Sequence, residues 1–162
     1  MNPTTTRTTR AADKVFERRF TVHAPIERVR AFHARAGALR QLTPAPIRID
    51  TDPSLVEGAA VRFTLYVPWP VPWLGRYENV RDDGFDDVME EGPFARWRHE
   101  HRYRSLGPDQ TEVLDRVTAA FREPASRMIW AGMTPAFAYR AWATRRACER
   151  KGDRERLPEG AP

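Results

Sequence analysis

The chain has 162 residues, a length that suits one domain able to bury roughly 70 per cent of the surface its unfolded chain exposes. It is basic, with 27 Lys plus Arg against 22 Asp plus Glu, but the cations are scattered singly. The one dense run, Arg145 to Arg154, reads as a solvated helix end with favourable charges near its C-terminus, so nucleic acid is not expected as a partner. A single cysteine, Cys148, excludes an intrachain disulfide, and no apolar run approaches the ~18 residues of a membrane span. The Thr-rich start lacks the apolar segment of a secretory signal, so a cytoplasmic location without stable membrane insertion is expected. Tails at 1–13 and 152–162 carry no periodic apolar residues and are expected to be disordered, leaving one domain over 14–151.

Lys14 to His23 alternates, with Phe16, Arg18, Phe20 and Val22 on one face, and predicts a first strand. Pro25 at a first helical position, Glu27 in the first turn and Val29, Phe32 and His33 at helical spacing predict a short helix to about Ala36. Gly37 breaks it, Ala38 to Leu42 forms a second helical turn, and Thr43-Pro44-Ala45-Pro46 ends the pair. Ile47 to Thr51 is a short strand. Ala60 to Val67 is a longer one, with Val61, Phe63, Leu65 and Val67 on one face.

The segment Pro68-Trp69-Pro70-Val71-Pro72-Trp73-Leu74 reads as a loop, because its prolines oppose regular pairing while its tryptophans are costly to leave in water. It is expected to act as a lid or to pack against Met128 to Trp130. Arg76 to Arg81 and Phe85 to Glu90 flank an Asp82-Asp83-Gly84 turn and predict a hairpin. Thr134-Pro135 predicts the start of a terminal helix running from Pro135 to about Arg150, with Phe137, Ala141, Arg145 and Cys148 approximating one stripe. The stretch before it, Arg127 to Gly132, stays open between strand, lid and helical turn.

Between those parts lies Gly92 to Leu106, a strand with Trp97, His99, His101 and Tyr103 on one face and Arg96, Arg98, Glu100 and Arg102 on the other. An inward face that carries two imidazoles and a phenol suits a cavity better than a dry core. Thr111 to Phe121 follows after the Gly107-Pro108 turn, with Val113, Asp115, Val117, Ala119 and Phe121 on one face. If that turn centres the hairpin, His101 lies across from Asp115, and a register shifted by two residues places His99 there instead. A carboxylate beside an imidazole sets its tautomer and raises its basicity; the same pairing can equally be a buried polar contact that pins the strands. His99 and His101 also have the spacing of a two-imidazole chelate with Asp115 as third ligand, although two residues do not specify a site and no metal or cofactor is expected.

The order of one strand, two short helices, six strands and a long helix predicts an α+β domain with helices on one face of an antiparallel sheet. Gly92-Pro93-Phe94, Trp97-x-His99-x-His101-x-Tyr103 and Thr111-x-Val113-x-Asp115-x-Val117, behind Phe20-x-Val22-x-Ala24-Pro25, resemble bacterial members of the SRPBCC superfamily. That group includes START-type lipid-transfer domains and polyketide cyclases and dehydratases. The resemblance covers about Lys14 to Arg150 and implies the helix-grip fold, a curved seven-stranded antiparallel sheet around a long C-terminal helix, with an apolar tunnel between them. Tyr103 stands where similar sequences often carry Phe, and Ala119 where they often carry an aromatic residue.

The leading expectation is therefore binding or carriage of an apolar small molecule, with Trp97, His99, His101, Tyr103, Asp115, Phe63, Leu65, Val117 and Phe137 as candidate lining residues. An alternative is a cyclase, aromatase or dehydratase in which His101 or His99 moves a proton, Asp115 orients it and Tyr103 stabilises an oxyanion. A further alternative is an accessory module of a separate enzyme that docks through the tryptophan loop, with a protein partner or homodimer. Cys148, with no histidine near it in sequence, does not suggest a nucleophile, and no phosphate-binding glycine loop is present.

Overall fold

A computed structural model of the chain describes residues 13–35, 37–122 and 124–149. Apart from Asp13, the tails expected at 1–13 and 152–162 lie outside the described residues. The elements are β1 (Lys14–Val22), α1 (Ile26–Ala34), α2 (Ala38–Leu42), β2 (Ile47–Thr51), β3 (Ala60–Tyr66), β4 (Pro70–Arg81), β5 (Gly84–Glu91), β6 (Phe94–Gly107), β7 (Gln110–Phe121), α3 (Ala125–Ala131) and α4 (Met133–Cys148). The seven strands form one curved antiparallel sheet in the order β1-β7-β6-β5-β4-β3-β2. Every neighbouring pair except β1 with β7 is joined by a hairpin or short connection, and α1 and α2 carry the chain from one edge, β1, to the other, β2.

Local chemistry accounts for the ends of these elements. Pro25 caps α1 with φ −58, already suited to a helix start, and Glu27 lies in the first turn where the helix dipole favours an acid. Gly37 turns the chain between α1 and α2 with φ +80, a conformation that penalises any Cβ. At Gly84, which opens β5, a Cβ would collide with the His101 carbonyl, so glycine there lets β5 approach the strand that carries the histidines.

Two expectations are corrected. The Trp69 to Leu74 segment is not a loop: β4 begins at Pro70 and pairs with β3 through Leu65↔Val71 and Phe63↔Trp73. Pairing of β4 with β5 reaches only Leu74↔Glu91, so Pro70 and Pro72 sit at an open edge where a missing N–H removes no ladder bond. The turn is confined to 67–69 and contains a cis Val67-Pro68 bond. Trp73 is buried and stacks on Phe63 at 5.6 Å between ring centroids, so it is core rather than a lid or docking surface, while Trp69 is 49% exposed. The second correction concerns the terminal helix, which starts at Met133, two residues before Pro135. Proline is tolerated in that first turn because N–H groups there have no intrahelical acceptor. Ahead of it, 125–131 is the separate helix α3.

The core divides into two clusters. One gathers Phe20, Val22, Val29, Phe32, Leu42, Phe85, Tyr103, Val113 and Cys148 under α1. The other gathers Val61, Phe63, Trp73, Phe94, Trp97, Val117, Met133 and Phe137 toward the start of α4. The polar residues of the inner sheet face lie at their seam: His101 stacks on Phe85 of the first cluster at 4.2 Å, and His99 meets the Phe137 ring of the second at 5.1 Å.

Candidate active site

The β6–β7 register sets His101 against Asp115 and His99 against Val117. Because same-face neighbours lie two residues apart, Asp115 reaches both rings: its Oδ1 is 3.0 Å from His99 Nε2 and 3.0 Å from His101 Nδ1. All three side chains are buried, Asp115 completely. On the other side α4 supplies Arg140, whose Nε stands 3.5 Å from Asp115 Oδ2.

Burial would raise the Asp115 carboxyl, but Arg140 and the two imidazole donors together hold it well below the usual carboxylate range. Burial lowers His99 against the pull of Asp115 and, with the charge of His99, takes His101 well below its ordinary value. The cluster is therefore an ionised carboxylate that accepts N–H groups from two neutral imidazoles. In this state His99 is the Nε2–H tautomer, with its lone pair on Nδ1, and His101 is the Nδ1–H tautomer. Arg140 Nη2 lies 3.4 Å from His101 Nδ1, but a nitrogen that donates to Asp115 cannot also accept, and the shorter contact to a charged acceptor decides the tautomer.

Donor atoms of His99, His101 and Asp115 lie within 4.8 Å of one another, which is the donor set of a metal site. The guanidinium of Arg140 already neutralises Asp115, and a cation bound there would face it directly. We read the set as a hydrogen-bonded network.

Two adjoining recesses open between this network and the helices. The larger, about 160 Å³, is lined by Phe63, Leu65, Trp73, Trp97 and Phe137 with Asp87, His99 and Arg140 as its polar residues. The smaller, about 80 Å³, is bordered by His33, Tyr77, Phe85, Asp87, His99, His101 and Arg140. Of the residues singled out in the sequence, Phe63, Leu65, Trp97, His99 and Phe137 border the larger recess, and His101 the smaller one. Asp115 stands behind the imidazoles, and Val117 is fully buried in the second core cluster. Tyr103 belongs to the first core cluster, with its ring 5.3 Å from His33 and its hydroxyl pushed above its ordinary value by burial. It borders neither of these two recesses but lines a separate opening with Glu27, Arg30, Val80 and Phe85, whereas Arg140 borders both.

Sequence reasoning missed Arg140, Asp87 and His33 in this site. Arg140 had a signal: it is three residues after Phe137 and next to Ala141, on the buried stripe of α4. His33, at the end of α1, binds the Val29 carbonyl through Nδ1 at 2.9 Å, and burial lowers it to about 4. Asp87 on β5 lies directly across from His99 and from Tyr77 of β4.

A comparison of the backbone with solved structures identifies the fold. Over 85% of this chain and 94% of the other, the fold matches the ZhuI aromatase/cyclase from Streptomyces sp. R1128 with a TM-score of 0.70 and 18% identity. The chain has the helix-grip fold. A START superfamily protein from Mycobacterium smegmatis matches this chain over 83% of its length and 97% of the other, with a TM-score of 0.65 and 15% identity. Norcoclaurine synthase from Thalictrum flavum, in complex with dopamine and hydroxybenzaldehyde, matches over 83% and 86%, with a TM-score of 0.62 and 16% identity. At these identities the likeness is one of fold. By sequence, no protein-family model and no curated protein matches the chain.

Proposed function

We propose that the protein is an acid–base enzyme of the cyclase, aromatase or dehydratase type, acting on an apolar carbonyl compound. The carrying observation is the Asp115 carboxylate shared by two neutral imidazoles and faced by Arg140, at the wall of an apolar recess. A site that only holds an apolar molecule gains nothing from burying ionised groups, which cost several kcal/mol each unless paired. His99 supplies the base, since it borders both recesses and Asp115 fixes the tautomer that leaves Nδ1 free to accept a proton. Arg140 supplies positive charge for an oxyanion that develops on the substrate carbonyl. The likeness to an aromatase/cyclase and to norcoclaurine synthase, solved with an aromatic amine and an aromatic aldehyde, supports the same class of chemistry. Size narrows the substrate: about 160 Å³ is close to the ~150 Å³ engineered cavity that holds one benzene ring.

The lining of the larger recess also supports a second reading, storage or carriage of an apolar molecule, with the ionic network as structure. Dehydration of the aldol adduct of acetone and benzaldehyde separates the two, because the conjugated enone product is read by its ultraviolet absorbance. The enzyme reading expects turnover, reduced about a hundredfold or more in His99→Ala. Absence of turnover, together with an apolar compound that copurifies with wild type and His99→Ala alike in native mass spectrometry, favours the carrier.

A further inference from the structure

Asp87 is the one acid that borders both recesses, and the network around Asp115 leaves it out. It is paired in register with His99, so the two side chains leave adjacent strands on the inner face with Cβ atoms about 5 Å apart. Its Oδ1 is closed from solvent and has no hydrogen-bond partner among the described residues. The space for that carboxyl comes from Gly75 of β4, where a Cβ would run into Asp87 Oδ1. A sheet position vacated for a carboxylate, which is then given no donor, is costly unless the group carries a proton or meets a ligand.

We propose that Asp87 is the catalytic acid of this site, donating its proton to the oxygen that leaves the substrate while His99 removes the proton from carbon. The inference rests on the acid–base reading above. For a β-hydroxy ketone, His99 Nδ1 takes the α-proton, the C–H electron pair forms the new C=C bond, and the C–O bond breaks. Asp87 protonates the departing oxygen, which leaves as water. The imidazolium then returns its proton to the Asp87 carboxylate across the strand pair, so one water is lost and no proton is gained or lost overall.

The surroundings suit the assignment. Burial raises Asp87 to about 6 against the opposing charge of Arg140, while His99 is lowered, so the two environments push acid and base toward the protonation states the step requires. The charged and titratable groups facing Asp87 are Arg140 from α4, Tyr77 from β4 and His99 and His101 from β6, with His33, Arg35 and Asp52 across the smaller recess. Of these, Arg140 is the cation that holds the acid from rising further.

The test is the pH profile of kcat/KM for dehydration of the acetone–benzaldehyde aldol adduct by wild type, Asp87→Asn and Gly75→Ala. Wild type is expected to lose activity as the pH rises through about 6 and Asp87 deprotonates. Asp87→Asn is expected to fall about a hundredfold and to lose that basic limb, while still binding the enone product as read by quenching of tryptophan fluorescence. Gly75→Ala keeps the carboxyl but displaces it, and a lower kcat with a moved basic limb is expected; this variant decides the matter if Asp87→Asn does not fold. Active wild type with an unchanged rate and basic limb in the folded variant overturns the role of Asp87 and leaves the enzyme reading standing. An inert wild type overturns both.

Discussion

Asp86 and Asp87 are consecutive residues of β5 with the same side chain, and the pleat sends them to opposite faces of one sheet. On the outer face Asp86 accepts from Asn79 Nδ2 at 2.8 Å, Arg98 Nη1 at 2.5 Å and Arg102 Nη2 at 2.6 Å. Burial works to raise it, but these donors outweigh burial and its carboxyl lies below the ordinary value. On the inner face Asp87 has a sealed oxygen without a donor, and burial wins. Burial alone therefore does not decide the state of a carboxyl; the count of donors within reach does. The outer acid closes a network of arginines that ties β5 to β6, whereas the inner one remains poised to give up or take a proton near neutrality.

Asp115 is the test of that contrast from the other side, an inner-face acid that does have donors. Asp115→Ala strands two imidazoles and Arg140 without their acceptor and is expected to cost about 3–5 kcal/mol, read as a fall in denaturant midpoint at unchanged m-value. His33 and Asp87 come next, because they border the same recess with shifts of opposite consequence. His33 is neutral when folded down to about pH 4 while the unfolded chain takes a proton near 6.5, so it contributes stability above that value that is lost as pH falls, about 3 kcal/mol in all. Asp87 holds its proton up to about pH 6 when folded but loses it near 3.8 when unfolded, so its stability contribution is present at low pH and is lost as pH rises.

Asp87→Asn is accordingly expected to stabilise the protein by up to about 3 kcal/mol above pH 6, with no gain below pH 4, and to steepen the dependence on pH between them. His33→Gln should instead make stability fall as pH rises through the same interval, because the Asp87 contribution is then no longer offset. Thermal unfolding measured at half-unit steps from pH 4 to 8 reads both. Identical profiles for Asp87→Asn and wild type would break the contrast with Asp86. Asp86→Ala is expected to have the smallest effect, a loss of about 2 kcal/mol, since its arginine partners are partly exposed and water replaces much of what they lose. This loss should hold steady from neutral pH downward and vanish only below the ordinary carboxylate range.

Part of the site was legible before any coordinates. Strict alternation from Trp97 to Tyr103 separated an imidazole face from an arginine face, and the Gly107-Pro108 turn placed His101 across from Asp115. That one carboxylate serves both histidines was not legible, because their convergence depends on how the rings turn across the pleat. Asp86 and Asp87 carried no signal at all: in Phe85-Asp86-Asp87-Val88 the polar and apolar residues do not alternate, so neither acid announces its face. The prolines of β4 misled for a related reason. Proline opposes pairing only where its N–H is needed, and the composition of Pro70 to Pro72 does not say which side of the strand is open.

By itself the sequence determined the order of the elements, the antiparallel sheet and the face of β6 that turns inward, since these follow from periodicities of two and 3.6 residues and from local turn and cap chemistry. Tertiary structure alone decided which further polar groups join His101 and Asp115 there. Arg140 comes from α4 and His33 from α1, and Asp87 reaches the site across a second strand pair with Gly75 making room for it. Such meetings depend on the docking angle of a helix and on the register of neighbouring strands. A residue's neighbours in sequence do not carry that information, and the state of each proton in the site follows from it.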